Sequence, residues 1–248
     1  MNKPPIMKIE GLGISFGGLK AVADVSFDVA RNQVKTVIGP NGAGKSTLFN
    51  LISGALRPRS GRVLIDDVAI TEKSAAQIKA HGLSRSFQIT NLFFDLTVRE
   101  NLRLAAQYLE PARHSWLPMK RSIRAASKVD ELLGRFTLKA KADDFVGSLS
   151  HDEQRRLEIA VCLASEPKIL MLDEPTQGMS HGDTEDTKEL IRGLASSVTI
   201  LLIEHDVSLV MDISDSIVVM HQGRKLAEGS PASVRQDPAV QAAYFGSA

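Results

Sequence analysis

Nine consecutive residues, Gly39-Pro40-Asn41-Gly42-Ala43-Gly44-Lys45-Ser46-Thr47, constrain this chain more than any other stretch. They fit the pattern G-x-x-x-x-G-K-[ST], with Gly42 as an additional glycine. The apolar run Val34 to Ile38 before them predicts a buried strand, and Leu48-Phe49-Asn50-Leu51-Ile52 after them predicts a helix. That is the strand, loop and helix context in which the pattern has a physical meaning. Glycines let the backbone turn its N–H groups inward, making a concave nest at the positive end of a helix. Lys45 then sets its ammonium against β- and γ-phosphates, and the Ser46 hydroxyl reaches Mg²⁺. The stretch reads as a nucleoside-triphosphate site.

Composition narrows the setting. A chain of 248 residues can bury one substantial core, or one core and a smaller lobe. Its formal net charge of +1 provides no global field for nucleic acid, so none is expected as a partner. Cys162 is the single cysteine, which excludes an internal disulfide and a Cys-rich metal site and fits a reduced, cytoplasmic setting. No apolar run reaches the roughly eighteen residues of a membrane span. Met1 to Lys8 lacks the apolar stretch of a signal peptide. At a membrane the chain is expected to be peripheral, held by other subunits.

Along the chain, Met7 to Phe16 and Ala21 to Val29 predict two strands joined at Gly17-Gly18. Gly54 stands where a helix C-cap belongs, and Arg62 to Asp66 predicts another strand. Ser74 and Gln77 form a capping box for a helix that Gly82 closes, ahead of a strand over Leu83 to Phe87 that leads into Gln88. From Thr97 to about Leu138 the character is helical. Thr97 and Glu100 form a second capping box, and Leu102, Leu104 and Tyr108 begin an apolar stripe. Pro111 and Pro118 bracket an irregular link. Beyond it, Lys120, Arg121, Arg124 and Lys128 make a basic face with two readings, anionic lipid headgroups or plain solvent. Strands and helices then alternate: Ile169 to Leu172 strand, Glu185 to Ala195 helix, Val198 to Ile203 strand. Ser216 to Met220 and Arg224 to Ala227 close as a hairpin, with only short helices after Pro231. The expected fold is α/β, a core with a mostly parallel sheet, an N-terminal antiparallel β part and an inserted all-helical lobe.

Ile169-Leu170-Met171-Leu172-Asp173-Glu174 is an apolar strand ending in two carboxylates. Such a strand delivers acids rigidly to the phosphates. Asp173 is the candidate to hold Mg²⁺ through water, and Glu174 to orient or deprotonate the attacking water.

Just ahead of that strand, Leu149-Ser150-His151-Asp152-Glu153-Gln154 resembles the LSGGQ signature of the ATP-binding-cassette (ABC) family. Other motifs of the family follow in order. Gln88 in Ser86-Phe87-Gln88 resembles the glutamine that contacts Mg²⁺ and water and couples to the membrane partner. His205 in Leu202-Ile203-Glu204-His205-Asp206 resembles the switch histidine at the γ-phosphate, and Phe16 before Gly17-Gly18 resembles the aromatic that stacks on adenine. The resemblance implies a P-loop NTPase fold in a single ABC ATPase domain, with residues 1–88 and 166–248 as ATP-binding core and about 89–165 as signature lobe. It implies ATP and Mg²⁺ as cofactors. Two cassettes clamp two ATP molecules, with Ser150 and Asp152 facing the nucleotide of the other subunit. Transmembrane permease subunits are the partners, at the cytoplasmic face of the inner membrane, with a solute-binding protein engaged indirectly. Leu92-Phe93-Phe94 either docks the permease or packs into the lobe's core.

Phe16 to Val22, Arg155 to Ala160, Leu202 to Asp206, Ile213-Ser214-Asp215 and Ala243 to Gly246 are similar to ATPases of branched-chain amino-acid importers. Urea and amide importers share much of this. Ser180 stands where many ABC ATPases carry the D-loop aspartate, and Asp152 replaces the second glycine of the signature. On one reading Asp152 repels the γ-phosphate, since like charges about 4 Å apart at an effective dielectric of about 20 repel by roughly 4 kcal/mol before screening. A heterodimer with a second, intact cassette then follows, or a low-turnover regulatory subunit, and a homodimer is weakened. On the other reading Asp152 points away and favours the helix start that Ser150 and Glu153 cap. A DNA- or ribosome-acting ABC protein expects two cassettes or a long coiled coil, and a GTPase expects N-K-x-D; the chain carries neither.

Overall fold

In the computed structural model, which describes residues 4–86, 92–109 and 123–245, two long antiparallel strands open the chain. They are β1 (Pro5–Phe16) and β2 (Leu19–Ala30). Val25, Phe27 and Val29 are buried while Ser26 and Asp28 face out, the period of two expected of a half-buried strand. The next strand, β3 (Val34–Ile38), is buried throughout and belongs to another layer; the phosphate loop joins it to α1 (Lys45–Ile52). β4 (Ser60–Ile65) and β5 (Val68–Ala69) return to the first layer, a four-stranded sheet in the order β2-β1-β4-β5.

Capping boxes set the helix starts as the sequence predicts. Ser74 and Gln77 cap α2 (Ala75–Ala80), and β6 (Leu83–Arg85) follows the Gly82 turn. Thr97 and Glu100 cap α3 (Val98–Ala106). Then come α4 (Ile123–Arg135) and α5 (His151–Leu163), the latter capped by Ser150 and Glu153. The chain continues through β7 (Ile169–Asp173), α6 (His181–Ala195), β8 (Thr199–Ile203) and α7 (Val207–Ile213). It closes with β9 (Ser216–His221), β10 (Arg224–Gly229), α8 (Pro231–Gln236) and α9 (Pro238–Phe245).

The second sheet has six strands in the order β10-β9-β3-β8-β7-β6, parallel except where β10 turns back on β9. Both of its faces are covered. Val34, Leu170, Leu172, Ile200 and Leu202 pack with the helical segment of α3, α4 and α5 and with α6. Val37, Ile169, Met171, Leu201 and Ile203 pack with α1 and the antiparallel sheet. Alternation along fully apolar strands therefore serves two cores at once.

Several expectations change. Leu104 and Tyr108 are not part of the buried stripe; both are exposed, and α3 buries Val98, Asn101, Leu102 and Ala106 instead. Buried Asn101 is satisfied by the Phe93 N–H and carbonyl, so an amide occupies a core position that hydrophobicity alone does not find. α6 starts at His181, four residues before the predicted Glu185, because Ser180 is its N-cap. Asp66 lies beyond β4 in a turn at φ +49. Of the basic residues, Arg124 and Lys128 pair with Glu166, and Lys128 also with Glu131. Phe87, Gln88, Pro111, Pro118, Lys120 and Arg121 lie outside the described residues. Leu92 is buried, whereas Phe93 and Phe94 are exposed.

Candidate functional site

Three neighbouring parallel strands, β3, β8 and β7, end at one edge of the sheet, and site residues follow each of them. Open α/β sheets bind ligands beyond these carboxyl ends. Past β3 the chain runs from Gly39 to Thr47 and into α1. A Cβ at position 39 would lie 2.3 Å from the Met220 carbonyl oxygen, and one at position 44 would lie 2.4 Å from that of Ala21. Gly44 also adopts φ +95, so glycine is required twice over. The Ala43 N–H donates to the Pro40 carbonyl at 3.1 Å, and the Gly223 N–H donates to the Ala43 carbonyl at 3.0 Å, pinning the loop to the β9–β10 turn. Asn41 and Gly42 form its exposed tip. No side chain caps α1 and no acid stands in its first turn, an arrangement suited to an anion at its positive end.

Lys45 is buried, with Nζ donating to the carbonyls of Gly39 (2.6 Å) and Pro40 (3.2 Å). Burial holds its ammonium below the usual lysine range, while the carboxylates of Glu174 and Asp173 oppose that shift. Ser46 beside it is exposed. At the end of β7, its last residue Asp173 is buried, and Glu174 after it takes a left-handed φ of +46. The Glu174 N–H donates to the Ile203 carbonyl at 3.0 Å, which ties the end of β7 to β8. Past β8, His205 is exposed, with Nδ1 3.9 Å from Glu174 Oε1. An ammonium, two carboxylates and an imidazole thus converge from three strand ends.

The other predicted residues sit around this centre. Phe16 ends β1, half-exposed, beside the strand whose Ala21 carbonyl abuts Gly44. Ser150 is an exposed N-cap, and the first turns of α5 share a cleft with Glu174, lined by His151, Gln154 and Gln177. Asp152 Oδ2 pairs with Arg156 Nε at 2.8 Å, one turn along the helix. Burial pushes the Asp152 carboxyl above the usual range, against the pull of Arg156.

The ABC transporter family profile matches residues 22–177. The chain belongs to the ABC transporter family. A second profile, described as branched-chain amino acid ATP-binding cassette transporter, matches residues 224–248. The cassette is 42% identical over 258 residues to the high-affinity branched-chain amino acid transport ATP-binding protein BraF of Pseudomonas aeruginosa, covering 98% of this chain and 99% of that protein. It is 41% identical over 252 residues to LivG of Escherichia coli K12, a protein of the same description, with the same coverage. The crystal structure of the ADP conformation of MJ1267, an ATP-binding cassette of an ABC transporter, superimposes with a TM-score of 0.85 at 31% identity, covering 99% of this chain and all of that one. The cassette is an ATPase coupled to transport.

Three charged residues of the cassette, Glu204 fully buried and Arg85 and Arg155 largely so, take positions that the motifs do not assign. Arg85 on β6 donates to Asp173 Oδ2 (3.0 Å), Asn50 Oδ1 (2.6 Å) and Ser53 Oγ (2.9 Å), linking the Mg²⁺ candidate to the end of α1. Glu204, fully buried, accepts from the Thr176 hydroxyl (2.7 Å), the Thr176 N–H (3.2 Å) and the His205 N–H (3.1 Å). Arg155 on α5 grips the carbonyls that follow β7. Glu204 and Arg155 each fix a loop that bears a site residue. Their partners lie far off in sequence, which is why motif and spacing do not reveal them.

Proposed function

We propose that this cassette is the ATP-hydrolysing subunit of an importer of branched-chain amino acids, working with a second cassette beneath transmembrane permease subunits. The observation that carries the chemistry is the convergence of Lys45, Asp173, Glu174 and His205 on the uncapped N-terminus of α1. The solute follows from the near full-length likeness to BraF and LivG and from the match at residues 224–248.

In this reading the loop from Gly39 to Thr47 holds the phosphates through its N–H groups and Lys45, and Phe16 stacks on the adenine. Ser46, Gln88 and, through water, Asp173 would hold Mg²⁺; hydroxyl, carboxylate and amide oxygens are the hard donors this ion takes. When bound, the ion neutralises charge on the β- and γ-phosphate oxygens. Glu174 accepts a proton from the attacking water, and His205, 3.9 Å away, touches the γ-phosphate. Residues 1–88 and 166–248 form the ATP-binding core and about 89–165 the lobe that presents Ser150 and Asp152 to the partner's nucleotide. Exposed Phe93 and Phe94 belong to the permease-docking face. The complex sits at the cytoplasmic face of the inner membrane and is fed by a solute-binding protein.

The test is ATP-driven uptake by the reconstituted complex with labelled leucine, isoleucine, valine and urea offered separately. Uptake of the three amino acids with no urea transport supports the reading. Uptake of urea alone reassigns the importer while leaving the ATPase chemistry in place.

A further inference from the structure

We propose that Arg155 is a positioning residue for Glu174, through which the chain's own signature helix holds its own water-activating carboxylate. This rests on the reading of Glu174 as general base.

Arg155 lies on α5, five residues beyond the Ser150 cap, and its side chain is only 12% exposed. Nη2 donates to the carbonyls of Asp173 (2.9 Å) and Glu174 (3.2 Å), and Nε donates to that of Pro175 (3.2 Å). Nη1 pairs with Glu158, itself nearly buried on the next turn. One guanidinium therefore satisfies three successive carbonyls at the point where β7 ends. Buried backbone acceptors need such partners; the Glu174 carbonyl also accepts from the Gln177 N–H at 3.2 Å.

The conformation being held is an uncommon one. Glu174 is a non-glycine residue at φ +46, a region that persists only when the surroundings over-determine it. Two clamps do so. Arg155 holds the carbonyls from the α5 side, and Glu204 holds the Thr176 N–H and hydroxyl from the β8 side. Without the fork, Glu174 can relax toward ordinary φ, which rotates its carboxylate away from His205. A lysine offers a single ammonium in place of a planar fork, so charge alone does not replace Arg155. Because α5 begins at Ser150, a shift of the signature helix carries the guanidinium with it and so reaches Glu174 directly.

The test uses the full chain in its transport complex, with Arg155→Lys, Arg155→Met and Glu174→Gln. Equilibrium titration with a fluorescent ATP analogue gives nucleotide affinity, and steady-state ATPase gives kcat and KM. We expect both Arg155 variants to bind nucleotide within about twofold of the unaltered chain while kcat falls about tenfold or more, up to the roughly hundredfold loss that a misplacement of about 1 Å can cause. Added to Glu174→Gln, Arg155→Lys lowers the residual rate by less than about twofold, because nothing remains to be positioned. An unchanged kcat in Arg155→Lys overturns the proposal, as does a loss that multiplies in full on Glu174→Gln or one that merely follows weakened ATP binding. If Arg155→Met does not fold, the lysine variant alone decides by the same criteria. Full turnover by Glu174→Gln would instead remove the general-base reading, a result distinct from any of these.

Discussion

Arg85 Nη2 lies 3.0 Å from Asp173 Oδ2, and the two side chains are only 9% and 3% exposed. Deep burial makes this pair unlike the surface bridges of the chain, because removing the arginine leaves a buried carboxylate charge uncompensated. Arg85→Met is expected to lower stability by about 3 kcal/mol or more, read as a shift of the urea midpoint. The loss should be smaller with Mg²⁺ and ATP present, since a cation at Asp173 offsets the missing guanidinium. Equal losses with and without nucleotide would show that Asp173 does not meet the metal.

Lys45 yields a pH prediction with a definite sign. Burial lowers its folded pKa below the ordinary 10.5, so between the two values the unfolded chain binds the extra proton. Stability then rises with pH across that window, by linkage. The comparison is with Lys45→Met, which cancels every other titrating group. The stability difference, unaltered chain minus variant, should increase as pH rises through the lowered folded value towards 10.5 without nucleotide. A flat difference would show that the ammonium is not penalised by burial. At neutral pH, Lys45→Ala should weaken ATP binding and abolish hydrolysis, because the phosphates lose their nearest cation.

Glu174→Gln is expected to keep ATP and to accumulate an ATP-bound closed dimer, while turnover falls by at least a hundredfold, on the order of a lost general base. Size-exclusion chromatography with ATP and a rate assay measure both halves. Loss of ATP binding in this variant would make Glu174 a ligand and not a base.

What could be read from the sequence was whatever is encoded locally. The phosphate loop, the capping boxes at Ser74, Thr97 and Ser150, and the buried strands β3, β7 and β8 are each specified by residues within a few positions. Convergence of the strand ends follows from parallel order, which a strand–helix alternation implies. Side-chain reach across elements is different. Arg85 meets Asp173 and Glu204 meets Thr176 only once the sheet is assembled, and nothing local marks either. Leu104 and Tyr108 misled for a related reason. An apolar period predicts a face, but Asn101 holds that face through bonds to Phe93, eight residues back.

The last prediction concerns Asp152, where the sequence left repulsion of the partner's γ-phosphate against a role at the helix start. The 2.8 Å pair with Arg156 turns Oδ2 back along α5, and Arg156 also bonds Asp186 on α6 at 3.0 Å. A charge already paired with a guanidinium at 2.8 Å opposes an incoming phosphate weakly, because the arginine offsets it. Asp152→Gly should therefore change turnover of the assembled complex by less than about twofold. Its cost is structural, about 1 kcal/mol from glycine in a first turn and the lost dipole and i,i+4 contributions. Arg156→Met is the sharper probe, since it releases the carboxylate without removing it. Turnover should then fall several-fold, and Asp152→Gly added to Arg156→Met should restore it. Steady-state ATPase of the three complexes measures this directly. A several-fold rise from Asp152→Gly alone would mean that the charge faces the nucleotide despite Arg156, and would favour pairing with a second cassette whose signature is intact.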